Sequence, residues 1–257
     1  MRNPHGASPL LLLGDHAGLA IPAALGRLGL ADADLGRHIA CDIGVAGLGA
    51  ALSRSLDAVF ISQRYSRLVI DCNRALADPG SIAAESDGCV IPGNAGLTHA
   101  QRTARAEAVF HPYHHAIAAE LDARRVRGQR SILVALHSFT PALNDRAHRP
   151  WRYGVLHRHD SAFSAAVLAV LTARFGPDVV GDNQPYAMDG TDFTVPVHMK
   201  AKEGEAKGGD PRGADYLELE VRQDTIDTPA GQGAVAVDLV LVFAEALDKA
   251  LAAAGSA

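Results

Sequence analysis

The sequence predicts an α/β domain with a central, largely buried sheet. Two observations carry this: short apolar runs alternate with long amphipathic stretches, and the apolar runs end in clusters of polar residues. No repeat or low-complexity tract interrupts the pattern. A chain of 257 residues can bury one proper core, so a single domain over 1–257 is expected.

Each element follows from its residues. Leu10–Leu13 is an apolar run stopped by Gly14-Asp15-His16-Ala17-Gly18, a strand ending in a loop. From Gly36 to Leu56, Ile39, Ile43, Ala46, Leu52 and Leu56 fall near helical spacing, with Asp34 as a cap. That helix would set His38 and Asp42 one turn apart on one face. Ala58–Ser62 and Arg67–Asp71 read as strands. The Gly-, Pro-, Ser- and Asn-rich stretch Asp78–Gly96 reads as a surface loop, and is the segment expected to close over a site. Thr98–Val126 is a long helical pattern that Pro112 must kink or restart, so a break is expected near His111. Ser131–Leu136 and Tyr216–Arg222 read as strands, and Ser161–Phe175 and Ala234–Ala254 as helices covering the sheet. Between Lys200 and Asp215 lies a charged, glycine-rich insert in which no chemistry is expected.

Composition excludes several classes. With 48% hydrophobic and 21% charged residues, neither global disorder nor a coiled-coil rod fits. Lys and Arg number 24 against 29 acidic residues, which gives no electrostatic drive toward nucleic acid. The apolar stretch Ala234–Ala246 carries Asp238 and Glu245, so no membrane span is expected, and the N-terminal residues do not read as a signal peptide. A cytoplasmic protein is expected. Cys41, Cys72 and Cys89 are odd in number and lack C-x-x-C spacing, so a metal would have to be held by His and carboxylate, the set that favours an open catalytic zinc.

In an open α/β sheet, ligands bind outside the carboxyl ends of the strands, so polar residues there are the candidates. They are His16, the segment Ser66–Arg74, His137-Ser138, and Glu220 with Arg222. Two strand-end histidines and an oxygen ligand can hold Zn²⁺ with one position open. By spacing alone, Glu220 could equally sit with Glu218 and Arg222 on an exposed charged face, and His137 could be a hydrogen-bonded core histidine. Asn73 and Arg74 suit a carboxylate clamp, or else an ion pair with Asp71. Arg64, Arg67 and Arg74, close together in an acidic chain, point to an anionic substrate. His111, His114 and His115 crowd the helix break, either as a metal cluster or as a pocket wall with Tyr113. Ser138 beside His137 is not a serine nucleophile, because adjacent strand residues point to opposite faces and no nucleophile elbow surrounds it.

Seven ordered strings resemble successive motifs of the N-formylglutamate amidohydrolase family: Gly14-Asp15-His16-Ala17-Gly18, Arg37–Gly44, Ser66–Arg74, Pro112-Tyr113-His114, Leu136–Pro141, Gly181–Tyr186 and Glu218–Asp224. That family is similar to the zinc carboxypeptidase group. The resemblance therefore implies a three-layer α/β/α sandwich around a mixed, mostly parallel sheet. It implies His16 and His137 as zinc ligands, Glu220 as the catalytic glutamate, and Asn73 with Arg74 as the grip on a substrate carboxylate. The carboxypeptidase-like motif has a glutamate three residues after its first histidine, but Leu19 stands there, so Asp42 is taken as the third ligand, with His38 as the alternative. Arg67 is expected to stabilise an oxyanion, Arg222 to meet a second carboxylate, and Tyr113 and His114 to bind substrate. The implied reaction is zinc-dependent hydrolysis of N-formyl-L-glutamate, a step of histidine breakdown. The alternatives are the same chemistry on another N-acyl amino acid or small peptide, and a silent anion-binding homologue.

Overall fold

The computed structural model describes residues 1–143, 148–158, 161–199 and 215–255. The elements are β1 (Leu10–Gly14), α1 (Asp32–Leu35), α2 (Val45–Ser55), β2 (Val59–Ser62), β3 (Glu85–Ser86), β4 (Cys89–Val90), α3 (His99–Arg105), α4 (His111–Val126), β5 (Ile132–Phe139), β6 (Tyr153–Leu156), α5 (Ala162–Phe175), β7 (Val180–Asp182), α6 (Thr194–Met199), β8 (Tyr216–Arg222) and α7 (Pro229–Gly255). The main sheet has the order β2-β1-β5-β8-β6-β7. Every neighbouring pair is parallel except β6 against β8, so the sheet is mixed and mostly parallel, as expected.

Both faces of the sheet are covered, which is why β1 can be an unbroken leucine run with no exposed residue. Alternation splits its side chains. Leu10 and Leu12 join Leu136, Leu219 and Phe60 under α2, α5 and α7. Leu11 and Leu13 join Leu133, Ala135 and Ile61 under α4 and α6. Stretch Pro229–Ala250 is long and apolar enough for a membrane span by length and composition, contrary to the sequence expectation. Its buried stripe Val235, Leu239, Val242, Phe243 and Ala246 nevertheless belongs to the core.

Three local expectations are corrected. The helix expected over Gly36–Leu56 is only Val45–Ser55, because Gly44 takes the left-handed conformation (φ 85°) and a Cβ there would lie 2.1 Å from the Ile226 carbonyl oxygen. His38 and Asp42 therefore lie in the non-helical segment before α2 and share no helix face. Arg67–Asp71 is not a strand: Val69 N–H donates to the Ser66 carbonyl and Leu68 N–H to the Ser66 hydroxyl, making a side-chain-supported turn. Asp78–Gly96 is not loose either. It contains two 3-10 turns and the β3–β4 hairpin, and buried Asn94 ties it to the Leu68 and Ala83 carbonyls.

The break expected near His111 is present as a π-helical turn over Ala106–Phe110, followed by α4 with Pro112 in its first turn. The helix runs on through this turn, His111 N–H reaching back five residues to the Ala106 carbonyl, so the widened turn is where the ladder accommodates a proline with no N–H to donate. Insert Lys200–Asp215 lies outside the described residues except for Asp215.

Candidate metal centre

The carboxyl ends of β1, β5 and β8 meet at one point. His16 follows β1 and is held close by Gly18, where a Cβ would lie 2.0 Å from the Arg64 carbonyl oxygen. The His16 carbonyl accepts the Asp42 N–H at 2.9 Å, which fixes the turn before α2 against the β1 loop. His137 stands on β5 directly opposite Glu220 on β8. Alternation sends the Ser138 side chain the other way, where its hydroxyl donates to the Ile43 carbonyl.

His16, Asp42 and His137 converge, and all three are buried. Asp42 Oδ2 lies 2.9 Å from His137 Nδ1 and 3.5 Å from His16 Nδ1. The far nitrogen of each ring faces another acid: His16 Nε2 is 2.7 Å from Asp71 Oδ1, and His137 Nε2 is 3.6 Å from Asp15 Oδ2. Metal-binding histidines are characteristically backed by such carboxylates. His16 Nδ1 has no hydrogen-bond partner, so a donor atom is left facing the shared carboxylate. The donor set fits a metal ion. Among the described residues this is the one such group, and the donor atoms of His111, His114 and His115 do not converge in the same way.

Electrostatics agree. Burial pushes Asp42 up and His16 and His137 down. The mutual attraction of these charges wins, so Asp42 is held well below the carboxylate range and both histidines rise. Asp71 is likewise pulled down by Arg67 and His16 against its burial. The acids around the two rings thus favour positive charge at this point, which either two protons or one divalent ion would supply.

A cavity of about 350 Å³ opens on the cluster. His38, Arg67, Asn73, Arg74, Tyr186, Asp189, Asp192, Glu218 and Glu220 line it with the three convergent residues. Glu218 and Glu220 are both buried, so the exposed-face reading of β8 is overturned, and each has a carboxylate oxygen without a partner. Burial foremost raises Glu220 to about 7 and Glu218 to about 8, Asp42 adding to the first and Asp192 to the second.

Arg67 donates through Nε and Nη2 to Asp71 Oδ2 at 3.1 and 2.7 Å. Arg74 and Asn73 do not pair with Asp71 through their side chains; both donate to Asp192 Oδ1, at 3.3 and 3.4 Å. His38 sits 3.3 Å from Asp87 and outside the convergent group, whereas Asp42 is inside it.

Three expected substrate contacts do not line the cavity. Tyr113 is buried behind it, its hydroxyl donating to Asp15 Oδ1 at 2.5 Å. His114 lies 3.0 Å from the Cys72 carbonyl through Nε2 and 3.0 Å from His198 through Nδ1, so His114 and His198 support the wall rather than form it. Arg222, the last residue of β8, is instead taken up by Asp224 and the Arg149, Pro150 and Trp151 carbonyls, to all of which it donates. No residue of Asp78–Gly96 lines the cavity. Sequence reasoning missed Asp15, Asp71 as a partner of His16, Glu218 and Asp192. Period-two alternation with Glu220 was a signal for Glu218, while nothing local marks Asp192, which comes from 118 residues beyond Arg74.

No curated protein matches the chain, but two solved structures do. Gene product Atu2144 from Agrobacterium tumefaciens is 33% identical in sequence, with 96% of this chain and 93% of that one covered and a TM-score of 0.86. N-formylglutamate amidohydrolase from Ralstonia eutropha JMP134 is 20% identical, with 93% of each chain covered and a TM-score of 0.67, a likeness of fold. The sequence pattern of the N-formylglutamate amidohydrolases matches residues 8–226, from the start of the leucine strand past the Glu220 strand, and the chain belongs to the N-formylglutamate amidohydrolase family.

Proposed function

We propose that the chain is a zinc-dependent amidohydrolase of small N-acyl amino acids, with N-formyl-L-glutamate, hydrolysed to L-glutamate and formate, as the substrate its family points to. One observation carries the reading: an aspartate oxygen shared by two histidine nitrogens opens on the cavity in which Glu220 keeps a carboxylate oxygen without a partner. His16, Asp42 and His137 would hold the ion, and a set of two imidazoles and one carboxylate suits zinc. A divalent ion in such a set supplies Lewis-acid activation of water and of a carbonyl oxygen.

Glu220 takes a proton from the attacking water as its oxygen bonds to the formyl carbon. It returns that proton to the nitrogen as the C–N bond breaks, releasing amine and formate. The Arg67 guanidinium, fixed by Asp71, faces the cavity and stabilises the oxyanion, where one donor is worth about 3 kcal/mol of barrier. Asn73 and Arg74 orient a substrate carboxylate. A small diffusible substrate of amino-acid degradation suits an enzyme of the cytoplasm.

The test is turnover of N-formyl-L-glutamate by purified protein, with chelator treatment, zinc restoration and Glu220→Gln. Chelation should abolish activity and zinc restore it, while Glu220→Gln should lower kcat by about 10²–10⁴-fold with zinc content unchanged. Activity indifferent to both would exclude the mechanism. A second reading, the same reaction on a different N-acyl amino acid, is favoured by one observation: Asp192 already accepts from both members of the Asn73–Arg74 clamp.

A further inference from the structure

Helix α7 is apolar on both its faces, yet only one of them is covered. About a third of the apolar stretch within Pro229–Ala250 is buried. The solvent side carries Ala230, Ala234, Val237, Leu241, Ala244 and Asp248, all exposed, Val237 by 64% and Leu241 by 50%. A helix lying on a domain surface normally turns charged and polar residues outward. Here the first charge along the stripe is Asp248, and none of these residues lines the cavity.

Successive members of the stripe are four, three, four, three and four residues apart. That is the narrow seam with which one helix meets another, not the broader face with which a helix meets a sheet. The order is also self-complementary. Laid antiparallel on a second α7, with the two-fold axis between Val237 and Leu241, each Val237 meets Leu241 of the other copy and each Ala234 meets Ala244. Asp248 then meets the first turn of the other helix, which carries no acid and whose backbone N–H groups favour one. The acids beside the seam are already held, Asp238 by Arg152 at 3.2 Å and Glu245 by Arg174 at 3.5 Å, so they do not drive two copies apart. Helices α2 and α5 pack on either side of α7 and show solvent the small residues Ala46, Ala165 and Ala169, which let a second helical layer come close. From Ala230 to Asp248 the seam is about 27 Å long, and with its flanking helices about 25–30 Å wide. Two copies would cover roughly 700 Å² each, within the range of stable dimers. A lipid surface would call for basic residues beside the apolar stripe, and Lys249 stands there with Asp238, Glu245 and Asp248.

We propose that the chain pairs with a second copy of itself through the solvent face of α7, the two helices packing antiparallel about Val237 and Leu241 in a two-fold dimer. The pairing does not depend on the hydrolase reading, since the seam lies apart from the residues that read as catalytic.

The experiment is sedimentation equilibrium of the full chain, which should give twice the chain mass for the wild type at about 10–50 µM. Val237→Lys and Leu241→Glu, each alone, should raise the dimer Kd by at least about 100-fold, because each sets an unpaired charge against an apolar residue twice per dimer. Both positions are exposed, so far-UV circular dichroism should not change. Mixed in equal amounts, the two variant proteins should dimerise again: the introduced lysine and glutamate face each other in one layer, and Val237 keeps Leu241 in the other. A wild type that stays monomeric overturns the proposal, as do single variants that dimerise like the wild type. A mixture that stays monomeric overturns the antiparallel seam. A monomeric wild type that floats with phosphatidylcholine–phosphatidylglycerol vesicles overturns it in favour of a lipid surface. Should a variant not fold, the wild-type mass decides, together with hydrogen exchange of the α7 amides, which should slow as the concentration is raised through the dimer Kd.

Discussion

Asp71 orients the His16 ring through Nε2 and at the same time anchors the Arg67 guanidinium. Replacing it with asparagine keeps the shape but removes the charge that raises ligand basicity. Asp71→Asn should therefore weaken zinc binding by about 10–100-fold, measured by competition with a chromophoric chelator. Unchanged affinity would show that the aspartate serves Arg67 alone. Titration of the metal-free protein gives a second prediction. Burial lifts Glu218 from 4.5 to about 8 and Glu220 to about 7, while acids around His16 and His137 raise both rings. Groups whose pKa is raised by folding stabilise fully below their unfolded values and lose that contribution as pH rises through the folded ones. Asp42 and Asp71, held low by folding, lose theirs only in acid, below the ordinary aspartate range. Melting temperature of the metal-free protein should thus fall from about pH 5 to 8, with a shallower slope in Glu218→Gln. A curve that rises over this window would contradict the assigned environments.

Among the elements, α4 does more than cover the sheet. Its Arg124 is completely buried, pairs with Glu120 one turn earlier at 2.8 Å, and donates to the Ser8 and Pro9 carbonyls that lead into β1. Arg124→Ala should leave Glu120 with only the more exposed Arg127 guanidinium, at 3.4 Å, and the Ser8 and Pro9 carbonyls without their donor, and cost about 3 kcal/mol, read from urea unfolding. A loss below about 1 kcal/mol would mean that water replaces the guanidinium. Elements are legible in the sequence where burial drives the pattern. Tyr216–Arg222 and Ser161–Phe175 stand as expected, apart from Ser161, which caps its helix by accepting the Ser164 N–H. Gly36–Leu56 misleads because its apolar residues are buried by turns rather than by one helix face, and Leu68–Ile70 because a buried apolar triplet looks the same in a turn as in a strand.

For the molecule as a whole, an ion bound only by the folded chain stabilises it by mass action. At about one hundred times Kd, zinc should contribute about 2.7 kcal/mol, and for a chain of this size raise the melting temperature by about 5–10 °C. Differential scanning fluorimetry with zinc and with magnesium checks this. No shift with zinc would remove the basis for a metal enzyme.

The sequence alone determined the α/β class, the strand ends that carry His16, His137 and Glu220, and, through its ordered motifs, the family. These are properties of local pattern, since burial imposes a period of two on a strand and polar residues gather where a strand stops. Only the tertiary structure decided that Asp42 rather than His38 joins the two imidazoles, that Glu218 turns inward, and that Asp192 sits on Arg74. Those facts depend on turns with left-handed glycine and on contacts between segments far apart in the chain. Residue spacing does not encode distances across a fold. The same dependence placed Tyr113, His114 and Arg222 outside the cavity, although their strings read like their neighbours'.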